Sequence, residues 1–338
     1  MTLARKNVLL LFGGGTALIQ QNGTIRDVQS QKDVADWMRN IPELGIITRM
    51  KPMFLYAGAS FDEQPKWWQT IAKLIAKNYK EFDGFIVTQP IDAIPYTAAA
   101  LTVMLSRIGK PAVITGSTEL PSGRMSKKTL QAWHGNAEIG IRANLVNAAQ
   151  VATQDVGEVS VLFGNRLLRG GNVVRHAEPS LNVFESAGVP PLGRVDFGLK
   201  LEPHRRRRAA TIPKLATDLK TRILQFSLAP TTAAPMLPTI KPKMLDGLFI
   251  SGSPHAAPPG VLDSILAAAS PAALPVAVYS HWPEKPSDRY FTISGVTPAM
   301  ALIKFMWALG QTANRKILQN LLSTDFAGEV IRVEKRTP

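Results

Sequence analysis

The run Val8–Ala17, VLLLFGGGTA, constrains this chain more than any other stretch. Its apolar part, Val8–Phe12, is continuous and stops abruptly at glycine, the pattern of a parallel strand buried on both faces. Gly13, Gly14 and Gly15 remove side chains where the backbone must turn sharply or let a ligand approach. Thr16 then presents a hydroxyl beyond the strand's carboxyl end, where open α/β sheets place their ligands. A glycine cluster of this kind also serves as a plain tight turn.

The pattern recurs downstream. Val34–Met38 predicts a short helix, and Ile46–Tyr56 an extended segment whose Pro52 suits a sheet edge. Asp62 and Pro65 open a helix carrying Trp67, Ile71, Leu74 and Ile75 at helical spacing. Gly84–Thr88 reads as a second buried strand, followed by Gln89-Pro90-Ile91-Asp92 and a helix from Pro95 to Ile108. Ala112–Gly116 is a third strand. A long polar loop, Ser117–Asn136, leads to a helix through Ala143, Asn144 and Ala148. Val159–Phe163 is a fourth strand, and Arg166–Arg175 a hairpin turning at Gly170-Gly171. Such alternation predicts a doubly wound parallel sheet. Composition then changes near residue 201. Residues 1–200 form the larger α/β domain, 201–220 an exposed basic linker with Arg205–Arg208, and 221–338 a smaller doubly wound α/β domain. Strands Ile223–Leu228, Gly247–Ser251 and Pro275–Ser280 and helices over Pro259–Ala269, Thr297–Gly310 and Thr312–Leu322 make up the last.

Composition excludes several classes. There is no cysteine, which removes disulfides, thiolate metal sites and a cysteine nucleophile. The five histidines form no i, i+4 pair, which gives a histidine metal site little support. No metal and no other cofactor is expected. No apolar run is long enough to span a membrane. Arg5 and Lys6 followed by apolar residues imitate a secretory leader, but the run fits a first strand better. An intracellular setting, cytoplasm or organelle matrix, is expected. Lys and Arg number 39 against 25 Asp and Glu, a net charge of +14. Either a polyanionic neighbour, RNA or an acidic protein, or a merely basic surface accounts for the excess. Arg205, Arg206, Arg207, Arg208, Lys127 and Lys128 are the candidates for that contact, with Arg124, Lys241 and Lys243 beside them.

Five stretches in order carry a family resemblance. They are the first strand with Gly14-Gly15-Thr16, GFIVTQPIDAIPYTAAAL (Gly84–Leu101), PAVITGS (Pro111–Ser117), NRLLRGGNVVRHAEPSLNVFESAGVPPLG (Asn165–Gly193) and GVTPAMALIKFMWAL (Gly295–Leu309). Together they resemble the bacterial-type L-asparaginases and related amidohydrolases over nearly the whole length. The resemblance implies amide hydrolysis through an acyl-enzyme on a threonine, supported by a second threonine, an aspartate and a lysine. It also implies a homodimer or tetramer in which a neighbour's C-terminal domain completes each site.

Residue by residue the match is partial. Thr16 takes the nucleophile position, Asp92 the relay aspartate that also grips the substrate's amino group, and Ser60 a serine for the substrate carboxylate. Ile91 stands at the second threonine and has no hydroxyl. Gln89-Pro90 replaces His-Gly, and proline removes a backbone donor. Arg175 stands at the relay lysine, and arginine does not give up its proton at ordinary pH. The loop tyrosine aligns with Thr24, Gly140 and Ile141 lie near the lost Ser-Asp pair before Asn144, and Pro254-His255 replaces a Gly-Asn. An alcohol nucleophile is weak without an assisting base. Two readings follow: a catalytically degenerate scaffold acting as a structural or interaction subunit of a larger, RNA-containing or organellar assembly, or an active amidohydrolase on asparagine or a small amide with a rebuilt relay. On the first reading Thr16 and Asp92 act only on turns and caps, Asp92 capping the helix that follows it.

Overall fold

In the computed structural model, residues 5–14, 18–21, 24–57, 63–116, 127–176, 182–232, 244–253, 255–281 and 286–331 are described, residues 18–21, 24–27, 127–139 and 272 by their backbone alone. The chain forms two compact units, Met1–Leu215 and Ala216–Pro338. Their boundary falls within the stretch expected as a linker.

The first unit is built on an eight-stranded sheet. Strand Arg49–Tyr56 forms one edge, followed by Asn7–Gly13, Gly84–Thr88, Ala112–Thr115 and Val159–Phe163, all parallel. Arg166–Arg169, Gly193–Val195 and Leu199–Leu201 extend the other edge antiparallel. Pro52 lies in the edge strand, where a missing donor leaves no inner ladder broken. The first strand lies between the second and third strands in chain order. The connection from it to Arg49–Tyr56 and the next one, to Gly84–Thr88, therefore lead to opposite sides of it, which makes its carboxyl end the switch point at which such sheets bind ligands.

Burial explains why this strand lies inside the sheet, one in from the edge. Val8, Leu9, Leu10 and Leu11 are fully buried and Phe12 nearly so. Val8, Leu10 and Phe12 join a core with Val34 and Trp37 of helix Gln31–Arg39 and Leu145, Ala148 and Ala149 of helix Lys127–Ala152. Strand alternation turns Leu9 and Leu11 to the opposite face. Each such side chain contributes about 1.5–3 kcal/mol by leaving water. Helix Ile94–Met104 is buried almost all round, as its run of alanines and aliphatics requires.

Three local expectations are corrected. The polar stretch before Asn144 is not all loop: helix Lys127–Ala152 begins inside it, because Leu, Gln, Ala and Glu favour helix despite their polarity. Arg166–Arg175 is not a hairpin. Gly170–Asn172 forms a buried 3₁₀ turn, and the strands beside it pair elsewhere: Arg166–Arg169 with Val159–Phe163 and Gly193–Val195, and Val173–Arg175 with Phe184–Ser186. The buried face of helix Gln64–Lys77 runs through Trp68, Ile71, Ala72 and Ile75, with Trp67 beside it on the Tyr56 ring at 4.5 Å.

The second unit carries a parallel sheet in the order Ile223–Ser227, Gly247–Ser251, Val276–Tyr279, Phe291–Ile293. The three-residue fourth strand was too short to stand out in the sequence. Helix Pro298–Gln311 starts with Pro298 at its first position and Thr297 as cap, accepting from the Met300 N–H at 3.2 Å. Inside that helix lies Lys304, fully buried against an equally buried Glu329 at 2.8 Å. Glu329 also accepts from the backbone N–H groups of Phe326 and Ala327 at 3.0 and 2.7 Å. Burial pushes its carboxyl up, but the Lys304 charge and these hydrogen bonds together hold it below the ordinary value of 4.5.

A depressed folded-state carboxyl contributes stability above its unfolded pKa and loses it as pH falls through the folded value. Glu329→Gln should therefore destabilise the second unit by about 3–5 kcal/mol at neutral pH, because Lys304 is left buried without its counter-charge. Urea unfolding at several pH values checks this: the wild type should weaken below about pH 4.5, and the variant should lack that component.

Candidate functional site

The carboxyl ends of Asn7–Gly13 and Gly84–Thr88 lie side by side, with Phe12 opposite Thr88. Beyond them the backbone is pinned in detail. The Gly13 N–H donates to the Thr88 hydroxyl at 3.2 Å, and the Gly14 N–H to the Tyr56 carbonyl at 3.0 Å. Gly14 has φ +70°, a left-handed conformation that glycine takes without strain. A Cβ on Gly13 would stand 2.6 Å from the Gln89 amide nitrogen. The first two glycines of the opening motif thus serve one turn and one close approach.

Gln89 is the centre of a buried polar network. It has no exposed surface. Its backbone N–H donates to the Thr115 carbonyl at 2.9 Å. Its side-chain oxygen accepts from the Tyr56 hydroxyl at 3.0 Å and from the Thr97 hydroxyl at 3.3 Å. Gln64 Nε2 donates to the Tyr56 hydroxyl at 3.3 Å, and Trp68 Nε1 to Thr97 Oγ1 at 3.0 Å. Burial pushes the Tyr56 phenol up, so it stays a neutral donor. Gln89 Nε2 has no hydrogen-bond partner among the described residues. A sequence reading that registers Gln89 only as a lost histidine misses this network, because Tyr56, Gln64 and Thr97 converge on it from three separate elements.

Ile91 and Asp92 lie on the 3₁₀ turn Ile91–Ala93 that precedes helix Ile94–Met104. Ile91, expected at the position of a relay threonine, is buried at 3% exposure. Asp92 does not cap the helix: neither the turn nor the helix has a side-chain cap, which corrects that expectation. Its carboxylate pairs with the Arg175 guanidinium instead, both side chains being about half exposed. Both stand at positions expected for a relay, and the structure brings them together as an ion pair. Asn144 ties the neighbouring strand ends, donating from Nδ2 to the Gly116 carbonyl at 2.8 Å and accepting from the Gly164 N–H at 3.0 Å. Thr16 and Ser60 lie outside the described residues, as do Arg124, Lys241, Lys243 and Pro254. Thr24, Lys127 and Lys128 are described by backbone alone.

The four-arginine run is not an exposed linker. Glu158, 2% exposed, accepts from Arg169 Nε at 2.7 Å and from the Arg206 backbone N–H at 2.7 Å. Arg205 Nε donates to the Asp155 carbonyl at 2.9 Å, and the Arg208 backbone N–H to Asp155 Oδ1 at 2.8 Å. The Arg208 guanidinium reaches the Asp83 and Ala152 carbonyls at 2.6 and 2.8 Å. Only Arg207 of the four is exposed. A charge run carries no mark in the sequence of the acids and carbonyls, about 50–125 positions away, that will take it up.

The result is a two-unit α/β protein whose first sheet presents a glycine turn and a carboxylate at its switch point. Residues 7–207 match the model for the asparaginase N-terminal domain, and the chain belongs to the asparaginase family. Among relatives, the chain is 24% identical to a glutamyl-tRNA(Gln) amidotransferase subunit of Pyrococcus abyssi, over 96% of this chain and 76% of that one. It is 35% identical to L-asparaginase 1 of Escherichia coli K12 over 134 residues, 39% of this chain and 36% of that one. The thermostable L-asparaginase from Thermococcus kodakarensis shares the fold, with a TM-score of 0.75 and 22% identity across 96% of this chain and 99% of its own.

The docked arginines give a direct test. Arg208→Ser should destabilise the first unit by about 1–3 kcal/mol, because it strands buried carbonyls. Arg207→Ser should stay within about 0.5 kcal/mol of wild type. Denaturant unfolding of the two variants distinguishes a structural clamp from a free basic segment.

Proposed function

We propose that this asparaginase-family chain does not hydrolyse asparagine and acts as a structural or interaction subunit of an intracellular, RNA-containing assembly, in the cytoplasm or an organelle matrix. The observation that carries the reading is the pair of changes around Asp92. Ile91 beside it is buried and has no hydroxyl, and Arg175 holds the Asp92 carboxylate in an ion pair. A guanidinium offers no lone pair for a proton, so Arg175 supplies charge but no base. Thr16 and Asp92 are then remnants, and Ser60 a turn residue. The buried Gln89 network supports the same reading, since the strand ends are tied to one another by hydrogen bonds.

The net charge of +14 supports a polyanionic partner. The relatives named as subunits of a glutamyl-tRNA(Gln) amidotransferase support membership in an assembly. Among the arginine run, Arg207 is exposed, its one ion pair a long 3.9 Å contact with Asp155, and is the candidate for phosphate; Arg205, Arg206 and Arg208 act by holding the segment in place. Lys127 and Lys128 complete the proposed contact, and a homodimer or tetramer is the proposed assembly unit. Among the described residues no helix is long and apolar enough to cross a membrane. A second reading, an amidohydrolase with a rebuilt relay, has Asp92 in its favour, since its half-exposed carboxylate remains on the turn after the second buried strand.

Ammonia release from asparagine separates the two readings. The purified protein should show none above buffer while an active asparaginase turns over beside it, and Ile91→Thr with Arg175→Lys should not restore strong activity because Pro90 still lacks its donor. Turnover comparable to the control, abolished by Thr16→Ala, would establish the second reading. The same protein should bind tRNA with an affinity that falls steeply between two salt concentrations, as counterion release requires.

A further inference from the structure

The second unit carries a groove that the proposed function does not account for. It has a volume of about 830 Å³ and lies at the amino ends of its parallel strands, lined by Asp246, Pro275, Val276 and Phe291 from or beside three of them. This is the edge opposite to the one at which such sheets usually bind ligands. Its size falls within the range of small-molecule sites. Its apolar lining comes from Leu266, Leu274, Leu309 and Leu318.

The charges at the rim have one dominant sign. Lys220, Arg289 and Arg315 line the groove, against Asp246 alone among the acids. Asp246 is already satisfied: Arg222 reaches it through its backbone N–H at 3.1 Å, Nε at 3.3 Å and Nη2 at 2.8 Å. The Arg222 hydrogen bond holds that carboxyl below its ordinary value, so it stays ionised and occupied at neutral pH. Arg289 pairs with Asp263 at 2.6 Å. The ammonium of Lys220 makes no hydrogen bond or ion pair among the described residues; it acts on Asp246 only through its field. Arg315 is stacked over the Phe291 ring at 4.5 Å and gives Nη2 to the Ser287 and Tyr290 carbonyls at 3.2 and 3.3 Å. That anchoring leaves its Nε and Nη1 donors free among the described residues and fixes the plane in which they point.

With the paired Arg222 and Asp263 counted, four cations stand against two carboxylates. Helices Val261–Ala269 and Pro298–Gln311 end at this rim without a basic residue in their last turns. Their carbonyl ends carry about half a negative charge each, which offsets part of the excess but not all of it.

We propose that this groove binds a small organic anion with an apolar body, an aromatic or acyl carboxylate or phosphate ester. The apolar body lies along the leucines, and the anionic group meets Arg315 and Lys220. A guanidinium anchored over an aromatic ring and by two carbonyls is suited to two parallel bonds to a carboxylate or phosphate. Because the site lies within the second unit and uses none of the residues around Asp92, it stands or falls separately from the loss of hydrolysis.

Calorimetric titration of the full chain with 1-naphthyl phosphate tests the proposal, with 2-naphthol and inorganic phosphate as partial probes. Naphthyl phosphate should bind saturably and each partial probe clearly less tightly. Arg315→Gln should weaken binding about ten- to a hundredfold, the loss expected for hydrogen bonds to a charged group. Lys220→Gln provides the same test at an exposed residue whose loss leaves the fold intact. Ala267→Trp, on an exposed lining position, should block the groove without touching a cation. Equal affinity for 2-naphthol, unchanged affinity in both the Lys220 and Ala267 variants, or binding to anionic phospholipid vesicles with none to naphthyl phosphate would overturn it.

Discussion

The parallel register of the first strand against both of its neighbours is the constraint on which the rest of the first unit depends. Asn7–Gly13 pairs with Arg49–Tyr56 on one side and Gly84–Thr88 on the other. Val8–Gly13 are buried on both faces, so a slip of one residue would exchange the two faces' side chains and misfit both cores. That fixed register brings Gly13 to Thr88 and Gly14 to the Tyr56 carbonyl. It also sets Gln89 where its amide packs on Gly13 and its oxygen collects two hydroxyls. The turn with Ile91 and Asp92 follows at once in the chain.

The residues around that turn belong together physically. A buried isoleucine adds apolar packing where a hydroxyl would need a partner. An arginine supplies a charge that a lysine also supplies, but not a removable proton. The half-exposed Asp92–Arg175 pair is screened by water and contributes little to stability. Its consequence lies in chemistry, since the cation paired with the carboxylate cannot shuttle a proton. The proposed loss of hydrolysis therefore needs no change in fold, which accords with a fold shared with an L-asparaginase over nearly the whole chain.

Much of the fold was legible because strands buried on both faces are written as unbroken apolar runs. Val8–Phe12, Gly84–Thr88 and Val159–Phe163 needed only that rule. Pro52 marked the sheet edge for an equally local reason. The failures were those of partners distant in sequence. Gly170-Gly171 looked like a hairpin turn, yet the strands flanking it pair with other strands. Arg205–Arg208 looked like a solvated run, yet Asp155, Glu158 and Asp83 take up three of its four residues. At the site, Ile91, Asp92 and Arg175 were expected at relay positions, and the structure shows Ile91 buried beside an Asp92–Arg175 ion pair. Their neighbour Gln89 was not legible as a hub, because Tyr56 and Thr97 reach it from a different strand and from a helix.

The central claim is that Thr16, whatever its surroundings, is not activated as a nucleophile. Intact-protein mass spectrometry after incubation with asparagine measures this most directly, since attack by the hydroxyl would release ammonia and leave an aspartyl ester on the chain. An unmodified mass is expected at every time and pH sampled. An aspartyl adduct mapped to Thr16 would contradict the claim, and would mean that a proton acceptor other than the positions held by Ile91 and Arg175 serves the hydroxyl.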